Sequence, residues 1–551
     1  MLIRSLPLLR MSAERLTASC VLFLLIACNH VFWQKLIAAQ QPDSFGGWFF
    51  VGVGFVFLFL LFNAILTLIA LPYVFKPVMS AILLITPFVV YFMSQYGVMI
   101  NAQMIQNAVE TNPAETRDLL TIKLLVYVLL LGVLPLTMLW RTSIHFRPFQ
   151  RELLIKVGVL GGSFLLIGLI AAGFYKDFAS LFRNHRELRY LLAPSNYIQA
   201  ASSYLKKNAA LKPVIVEPIG QDARLGATWA KTVRPSLTVL VVGETARAAN
   251  FSLNGYERET NPELKKIDGL INFPDFHSCG TDTAVSVPCM FSMFERSDYS
   301  DEQAKSHQGL LDIMQRAGLQ VSWRDNQSGC KGACDRVPNE STSQQPDPAL
   351  CRDGECWDEM LLKNLQTRID AISRGQKSAV LVLHMMGSHG PAYYKRYPAQ
   401  FERFVPACKT NQLDRCSQRE IMNSYDNTLL YTDHVLASLV KTLQQNTDKL
   451  NTAMVYMSDH GESIGERGLY LHGSPYVIAP DFQTHIPALM WFSPQYAQSR
   501  GLNAACVKQH AGERYSHDNL FHSMLGLLDV QTREYQRGLD MFAACQIKTA
   551  L

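Results

Sequence analysis

The sequence predicts an α/β protein in two parts: a bundle of five transmembrane helices, then a polar domain with a mostly parallel sheet between helices. Three observations carry this reading. Long uncharged apolar runs fill the first third of the chain and nearly vanish afterwards. From about residue 236, short β-rich runs alternate with amphipathic stretches, the pattern of buried parallel strands and crossover helices. Ten of the 12 cysteines fall after residue 278, which places the second part in an oxidising compartment. At 551 residues the chain exceeds what one core organises. Its net charge of +5 is spread along the whole length and gives no reason to expect nucleic acid as a partner. The boundaries read 1–175 for the transmembrane part, 176–235 for a bridging segment and 236–551 for the polar domain.

A bilayer crossing needs roughly 17–25 apolar residues, and five segments qualify: 16–36, 47–72, 78–99, 122–140 and 153–175. The last two are the cleanest, with no charge between Leu124 and Trp140 or between Val157 and Tyr175. A secretory signal is the alternative for the first run, since Arg4, Arg10 and Arg15 make a basic leader. No convincing small-residue cleavage site follows it directly. Those three arginines, Lys76, and the group Arg141, Arg147, Arg151 and Lys156 fall in alternate loops, which assigns these loops to the cytoplasm. Five crossings from a cytoplasmic N-terminus put everything after residue 176 outside. Within the bridge, Lys176–Leu192 is expected to lie on the membrane as an amphipathic helix, followed by irregular chain at Pro213, Pro218 and Gly220.

Eight outer cysteines lie in close pairs: Cys279/Cys289, Cys330/Cys334, Cys351/Cys356 and Cys408/Cys416. They read as disulfides. Cys330 and Cys334 also have zinc-ligand spacing, but no second pair matches it. Eight cysteines allow roughly 105 connectivities, so nearest-neighbour pairing is an expectation. Cys506 and Cys545 are a fifth bridge or two free thiols.

Leu237–Val242, Leu319–Trp323, Ala379–His384 and Ala453–Met457 read as strands, with Gln308–Ala317, Asp358–Ile372 and Asn423–Leu443 as crossover helices. Ligands of such sheets bind beyond the carboxyl ends of the strands. There the chain gives Gly243-Glu244-Thr245, Asp325-Asn326 with Lys331 behind, Gly387-Ser388-His389-Gly390-Pro391, and Ser458-Asp459-His460-Gly461-Glu462. Glu244, Asp459 and His460 form an oxygen-plus-imidazole set suited to Zn²⁺. The plainer alternatives are a helix cap for Glu244 and a turn for Asp459-His460. Ser278 to Thr283 leads into Ala284–Phe294, an apolar stretch expected to be a helix despite Pro288. A hydroxyl at that N-terminus meets backbone N–H groups and a helix dipole that favour negative charge. A metal on the same oxygen would make it a nucleophile. Taken alone, Thr281 or Thr283 as an ordinary cap explains the segment equally well.

Six blocks carry a family resemblance: Gly243-Glu244-Thr245-Ala246-Arg247, Asn254-Gly255-Tyr256, Thr260-Asn261-Pro262, Cys279-Gly280-Thr281 through Pro288-Cys289-Met290, Gly387 to Pro391, and Ser458 to Ser463. They resemble the signature blocks of phosphoethanolamine transferases, in the alkaline phosphatase/sulfatase superfamily. The lipid A branch, which includes the mobile colistin-resistance enzymes, is the most similar. The resemblance spans nearly the whole chain, anchor included. It implies an alkaline-phosphatase-like periplasmic catalytic domain at 236–551, held at the bacterial inner membrane. It also implies zinc ligands at Glu244, Thr283, Asp459 and His460, with Thr283 as nucleophile. Lys331, His389 and His472 match residues that steady the phosphoethanolamine group, and Asn107, Thr111 and Glu115 match a loop that helps hold a lipid. The implied reaction moves phosphoethanolamine from phosphatidylethanolamine to a lipid A phosphate through a phosphoethanolamine-threonine. That lowers negative surface charge and implies polymyxin resistance. Many members have Ala where this chain has Asp282, and its carboxylate is expected to face solvent.

Other readings stay open behind this one. The acceptor could be a core sugar or a periplasmic glucan. A tethered phosphodiesterase or sulfatase shares the fold, but sulfatases need Cys or Ser in a modification motif, which Thr283 does not supply. A lipoteichoic-acid-type phosphoglycerol transferase shares the anchor and the threonine, but typically lacks this density of cysteines. A non-enzymatic sensor is expected to have lost a metal ligand, and all four positions are filled.

Overall fold

The computed structural model describes residues 9–547 except 112, 210–214, 231 and 353; the side chains of 114, 115 and 207–209 also lie outside the described set. The chain divides into two compact units: Met1–Gln106 with Leu120–Asn208, and Asn107–Leu119 with Ala209–Leu551.

In the first unit, Phe45–Ile69, Phe75–Tyr96, Ile122–Arg141 and Phe149–Asn184 are each long and apolar enough to cross a membrane. The expected span at 16–36 is a bent pair, Ala13–Ala27 and His30–Gln40, bent by 62°. Asn29 makes the break. Its buried amide donates to the carbonyls of Leu24 at 2.9 Å and Ala193 at 2.8 Å, and its oxygen accepts the Ala193 N–H at 2.8 Å. Asparagine competes with helical bonding in this way. A π-helical stretch, Val128–Val133, interrupts Ile122–Arg141 and brings Gly132 against Phe75–Tyr96. A Cβ at Gly132 would sit 3.1 Å from both Leu83 O and Pro87 Cγ, so only a small residue allows this approach.

Lys176–Leu192 is not a separate surface helix. The last span runs past a non-helical Phe174 to Asn184, and a 3₁₀ turn follows at Arg186–Tyr190. Three of the basic loops meet at one end of the unit. Leu9–Ser12 pairs in parallel with Thr142–His145, Lys76 donates to Thr142 O at 2.7 Å, and Arg147 pairs with Glu14 at 2.6 Å.

Among the described residues, the second unit is built on an eight-stranded sheet. In chain order its strands are β1 (Ser236–Gly243), β2 (Ile271–His277), β3 (Gln320–Asp325), β4 (Asn339–Ser341), β5 (Ala379–His384), β6 (Asn451–Ser458), β7 (His485–Phe492) and β8 (Tyr515–Ser516). In space they run β8-β2-β7-β6-β1-β5-β3-β4. The centre, β6-β1-β5-β3, is parallel; these are the four strands the sequence predicts. β1 and β6 are buried along their whole length, as strands covered on both faces must be.

β2 and β7 escape the sequence reading because each contains a proline, Pro274 or Pro487, which cannot donate to a ladder. They pair antiparallel, and the register shifts between Ile486 and Ala488, opposite Pro274. An irregularity of this kind is where a sheet tolerates proline. The expected helix Asp358–Ile372 is split into a 3₁₀ turn, Asp358–Leu362, and a helix, Leu365–Gly375, by Asn364 at φ 62°.

All four expected disulfides are closed, Cys279–Cys289, Cys330–Cys334, Cys351–Cys356 and Cys408–Cys416, and Cys506–Cys545 is a fifth. The Cys408–Cys416 bridge anchors a loop to the start of the helix Gln418–Gln444. Cys416 is half-buried at the end of the 3₁₀ turn Leu413–Arg415, where its N–H donates to Leu413 O at 3.1 Å. Ser417, the next residue, caps the helix, and the Cys408 N–H donates to Glu420 O at 3.1 Å in its first turn.

Candidate active site

Parallel β1 and β6 end side by side and release Glu244 and the pair Asp459-His460. The Asp459 N–H donates to Gly243 O at 2.9 Å, which ties the two turns together. The ligating atoms of Glu244, Asp459 and His460 lie within 4.8 Å of one another, and all three residues are fully buried. His460 Nδ1 is 2.9 Å from Gly461 O. A carbonyl only accepts, so Nδ1 carries the proton and Nε2 presents its lone pair. Burial pushes His460 down to about 4, which keeps the ring neutral. Asp459 Oδ1 accepts the N–H groups of Thr245 at 3.2 Å and His460 at 2.7 Å. Asp459 Oδ2 is buried with no hydrogen-bond partner among the described residues. Two carboxylates and a neutral imidazole converging with an orphaned oxygen fit Zn²⁺.

Thr283 is the first residue of the helix Thr283–Met290. Its Oγ1 lies 3.1 Å from Glu244 Oε2 and 3.3 Å from His460 Nε2. The cap is neither Thr281 nor Thr283. Asp282 Oδ1 accepts the Val285 N–H at 3.2 Å, while the Thr281 hydroxyl donates to Ser474 O at 2.7 Å. Capping turns Asp282 inward, so it is 1% exposed rather than facing solvent, and burial raises it to about 6.

Lys331, His389 and His472 line a cavity of about 70 Å³ with Asn107, Glu110, Thr111, Thr283 and Gln327. The Glu115 side chain lies outside the described residues. Lys331 sits at φ 52° beside the Cys330–Cys334 bridge, and its Nζ donates to Ser328 Oγ at 2.9 Å. Burial works to lower His472, but the Glu462 carboxylate at 2.8 Å, with the charges of Asp282 and Asp459, outweighs it and raises the ring. His389 is driven well below the ordinary range by burial, with the His472 charge adding to it. The two histidines thus favour opposite protonation states, as an acid and a neutral partner require.

The bridged cysteines relate to this site unequally. Cys279–Cys289 braces the segment that carries Thr283, and Cys330–Cys334 braces Lys331. Cys408 and Cys416 are not among the residues lining the cavity, so their bridge is part of the scaffold rather than of the site.

Sequence reasoning leaves several supporting groups without roles. Glu462, inside the Ser-Asp-His-Gly-Glu block, accepts from both His472 and the Tyr393 hydroxyl, the latter at 2.7 Å. Gln327 donates to Glu244 Oε2 at 3.1 Å. The Asp358 carboxylate accepts the Met386 and Gly387 N–H groups, each at 2.8 Å, and so shapes the loop before His389. The block gives a local signal for Glu462; the other two are set by tertiary contact alone.

Residues 236–530 match the sulfatase family, and residues 58–209 match the family described as phosphoethanolamine transferase EptA/EptB. The chain is 43% identical over 530 residues to phosphoethanolamine transferase EptA of Escherichia coli K12, covering 95% of each. It is 36% identical over 529 residues to phosphatidylethanolamine transferase Mcr-1 of Escherichia coli, covering 94% of each. Among solved structures, the integral membrane protein lipooligosaccharide phosphoethanolamine transferase A (EptA) from Neisseria meningitidis is similar at TM-score 0.93 and 39% identity, with 98% of this chain and 99% of that one covered. The fold is therefore an N-terminal set of apolar helices followed by an alkaline-phosphatase-like domain, an inner-membrane protein with its catalytic domain in the periplasm. Likeness of this extent, in sequence and in fold, means that the chain belongs to the phosphoethanolamine transferase family.

Proposed function

We propose that the chain moves phosphoethanolamine from phosphatidylethanolamine to a phosphate of lipid A, with Thr283 as nucleophile and zinc held by Glu244, Thr283, Asp459 and His460. One observation carries the reading: the Thr283 hydroxyl sits at a helix N-terminus, within 3.3 Å of Glu244 and His460, and lines the same cavity as Lys331, His389 and His472. Zinc, when bound, supplies Lewis acidity that favours an ionised threonine oxygen and offsets phosphate charge.

The protein does the rest by placement and charge. Thr283 Oγ1 attacks the phosphorus of the donor, and the bond to the glycerol oxygen breaks. His472, kept charged by Glu462, gives its proton to the departing diacylglycerol oxygen. Lys331 holds a positive charge against the phosphate, and the helix N-terminus adds backbone donors. An oxygen of the acceptor phosphate then attacks the phosphoethanolamine-threonine, and Thr283 Oγ1 leaves. The whole-length likeness to Mcr-1, named for phosphatidylethanolamine, and to EptA, named for lipooligosaccharide, supports this donor and acceptor. Adding an ammonium group to an acceptor phosphate weakens attraction for cationic polymyxins, so expression should raise resistance.

The test uses phosphatidylethanolamine without acceptor, followed by fragmentation mass spectrometry. Phosphoethanolamine is expected on the peptide containing Thr283, with none in Thr283→Ala. Lipid A from cells carrying the wild type, but not Thr283→Ala, should gain phosphoethanolamine. Label on Thr281 would overturn the nucleophile; unmodified lipid A beside a modified core sugar or glucan would overturn the acceptor.

A further inference from the structure

His517 directly precedes the helix Asp518–Leu527 and is 1% exposed. Its Nδ1 lies 3.0 Å from the Cys279 backbone nitrogen, and its Nε2 lies 3.0 Å from the Ser458 carbonyl oxygen. An N–H needs an acceptor and a carbonyl needs a donor, so a ring protonated on Nε2 alone satisfies both. The two partners belong to different arms of the site. Cys279 opens the segment that reaches Thr283 and is bridged to Cys289 inside the helix that begins there. Ser458 precedes Asp459, and its hydroxyl accepts the Ala246 N–H and donates to His460 O, both at 2.9 Å. His517 is itself anchored, because its own N–H donates to His277 O at 3.0 Å.

We infer that His517 is a positioning residue that sets the separation between Thr283 and the Asp459-His460 pair, an inference that rests on Thr283 being the nucleophile. The ring packs beside Phe276 and acts on the site through the backbone groups of Cys279 and Ser458. Phosphoryl transfer depends on placement, and a shift of about 1 Å in a reacting group costs on the order of 100-fold in rate. Buried and tied by its own N–H to His277 O, one imidazole with a fixed proton keeps two segments, distant in sequence, at a constant spacing.

The test compares full-length His517→Gln, His517→Asn and His517→Phe for kcat, KM, zinc content and melting temperature. Glutamine carries an acceptor and a donor spaced like the two ring nitrogens, so it can rebuild both bonds; its kcat should stay within about threefold of wild type. Asparagine reaches only one partner and should lose about tenfold, and phenylalanine about 100-fold, with KM within about twofold throughout. Wild-type kcat per folded, zinc-loaded molecule in the phenylalanine variant would overturn the inference, because a merely structural role moves only the melting temperature. Should that variant not fold, the ordering of glutamine above asparagine decides, and equal kcat in the two overturns it. Phosphoethanolamine label on Thr283 of the wild-type chain checks the nucleophile independently, so a failure there is distinguishable from a failure at His517.

Discussion

Asp459 Oδ2 lies 3.3 Å from His460 Nε2, an orphaned carboxylate oxygen facing an unprotonated ring nitrogen. Two lone pairs this close repel unless a cation lies within reach of both. Purified protein should therefore hold close to stoichiometric zinc, measured by elemental analysis. Asp459→Asn and His460→Ala should each weaken zinc binding by at least the roughly 10–100-fold typical of losing an outer partner, and activity should fall with it. Full turnover after exhaustive chelation would exclude the metal.

Gly387 places a second constraint on the same centre. It sits at φ 52°, and a Cβ there would lie 2.5 Å from Glu244 O, the oxygen that accepts the Ser388 N–H at 3.0 Å. Gly387→Ala adds about 1–2 kcal/mol for the left-handed backbone and must also push Glu244 away. Gly468, at φ 71° with nothing within 4 Å among the described residues, carries only the backbone cost. Gly387→Ala should lose zinc affinity and activity out of proportion to its stability, whereas Gly468→Ala should lose only a little stability. Equal effects in zinc titrations of the two variants would show that the close approach is not what matters.

How much of this site the sequence reveals depends on how local each cause is. The strands ending at Gly243, His384 and Ser458 are mostly apolar runs, so their ends, and with them the candidate residues Glu244, His389 and Asp459 just beyond, can be read directly. Thr283 is harder, because Thr281 and Thr283 have the same local chemistry; tertiary contacts separate them, Thr281 donating to Ser474 O while Thr283 Oγ1 lies 3.1 Å from Glu244 Oε2. Asp282 looks like a surface carboxylate until its capping bond to Val285 turns it inward. Pro274 and Pro487 hide two strands whose shared irregularity appears only once they are paired. Asn29 breaks a span through a contact with Ala193, a partner no local window contains. His517 has the same character, since its two partners come from opposite arms of the site.

Among the five bridges, Cys506–Cys545 closes the longest loop, 39 residues apart against 10 or fewer for the others. Loop-closure entropy grows with the logarithm of loop length, giving about 4 kcal/mol for this bridge and about 2 kcal/mol for Cys351–Cys356. The double variant Cys506→Ser/Cys545→Ser should lower the melting temperature more than Cys351→Ser/Cys356→Ser. The opposite order in thermal melts of the full-length protein would mean that native packing, not chain entropy, sets these contributions.

Acid should act on His517. Burial pushes it down to about 4, only partly offset by its bond to the Ser458 carbonyl, whereas an unfolded chain protonates histidine near 6.5. The native fold holds the neutral ring, so between these values the unfolded chain binds the extra proton. Stability from this residue is complete above about pH 6.5 and is lost as pH falls through the window towards about 4, to a total of about 3 kcal/mol. Glutamine does not titrate, so His517→Gln removes the loss while keeping the two bonds. His522, also pushed down to about 4 by burial, contributes a background common to both proteins. Denaturation midpoints of metal-free wild type and His517→Gln, measured from about pH 7.5 to about pH 5, should run parallel above pH 6.5 and then diverge, the wild type falling faster. Curves that stay parallel throughout would mean that the ring accepts a second proton in place, and that the Cys279 N–H does not depend on its lone pair.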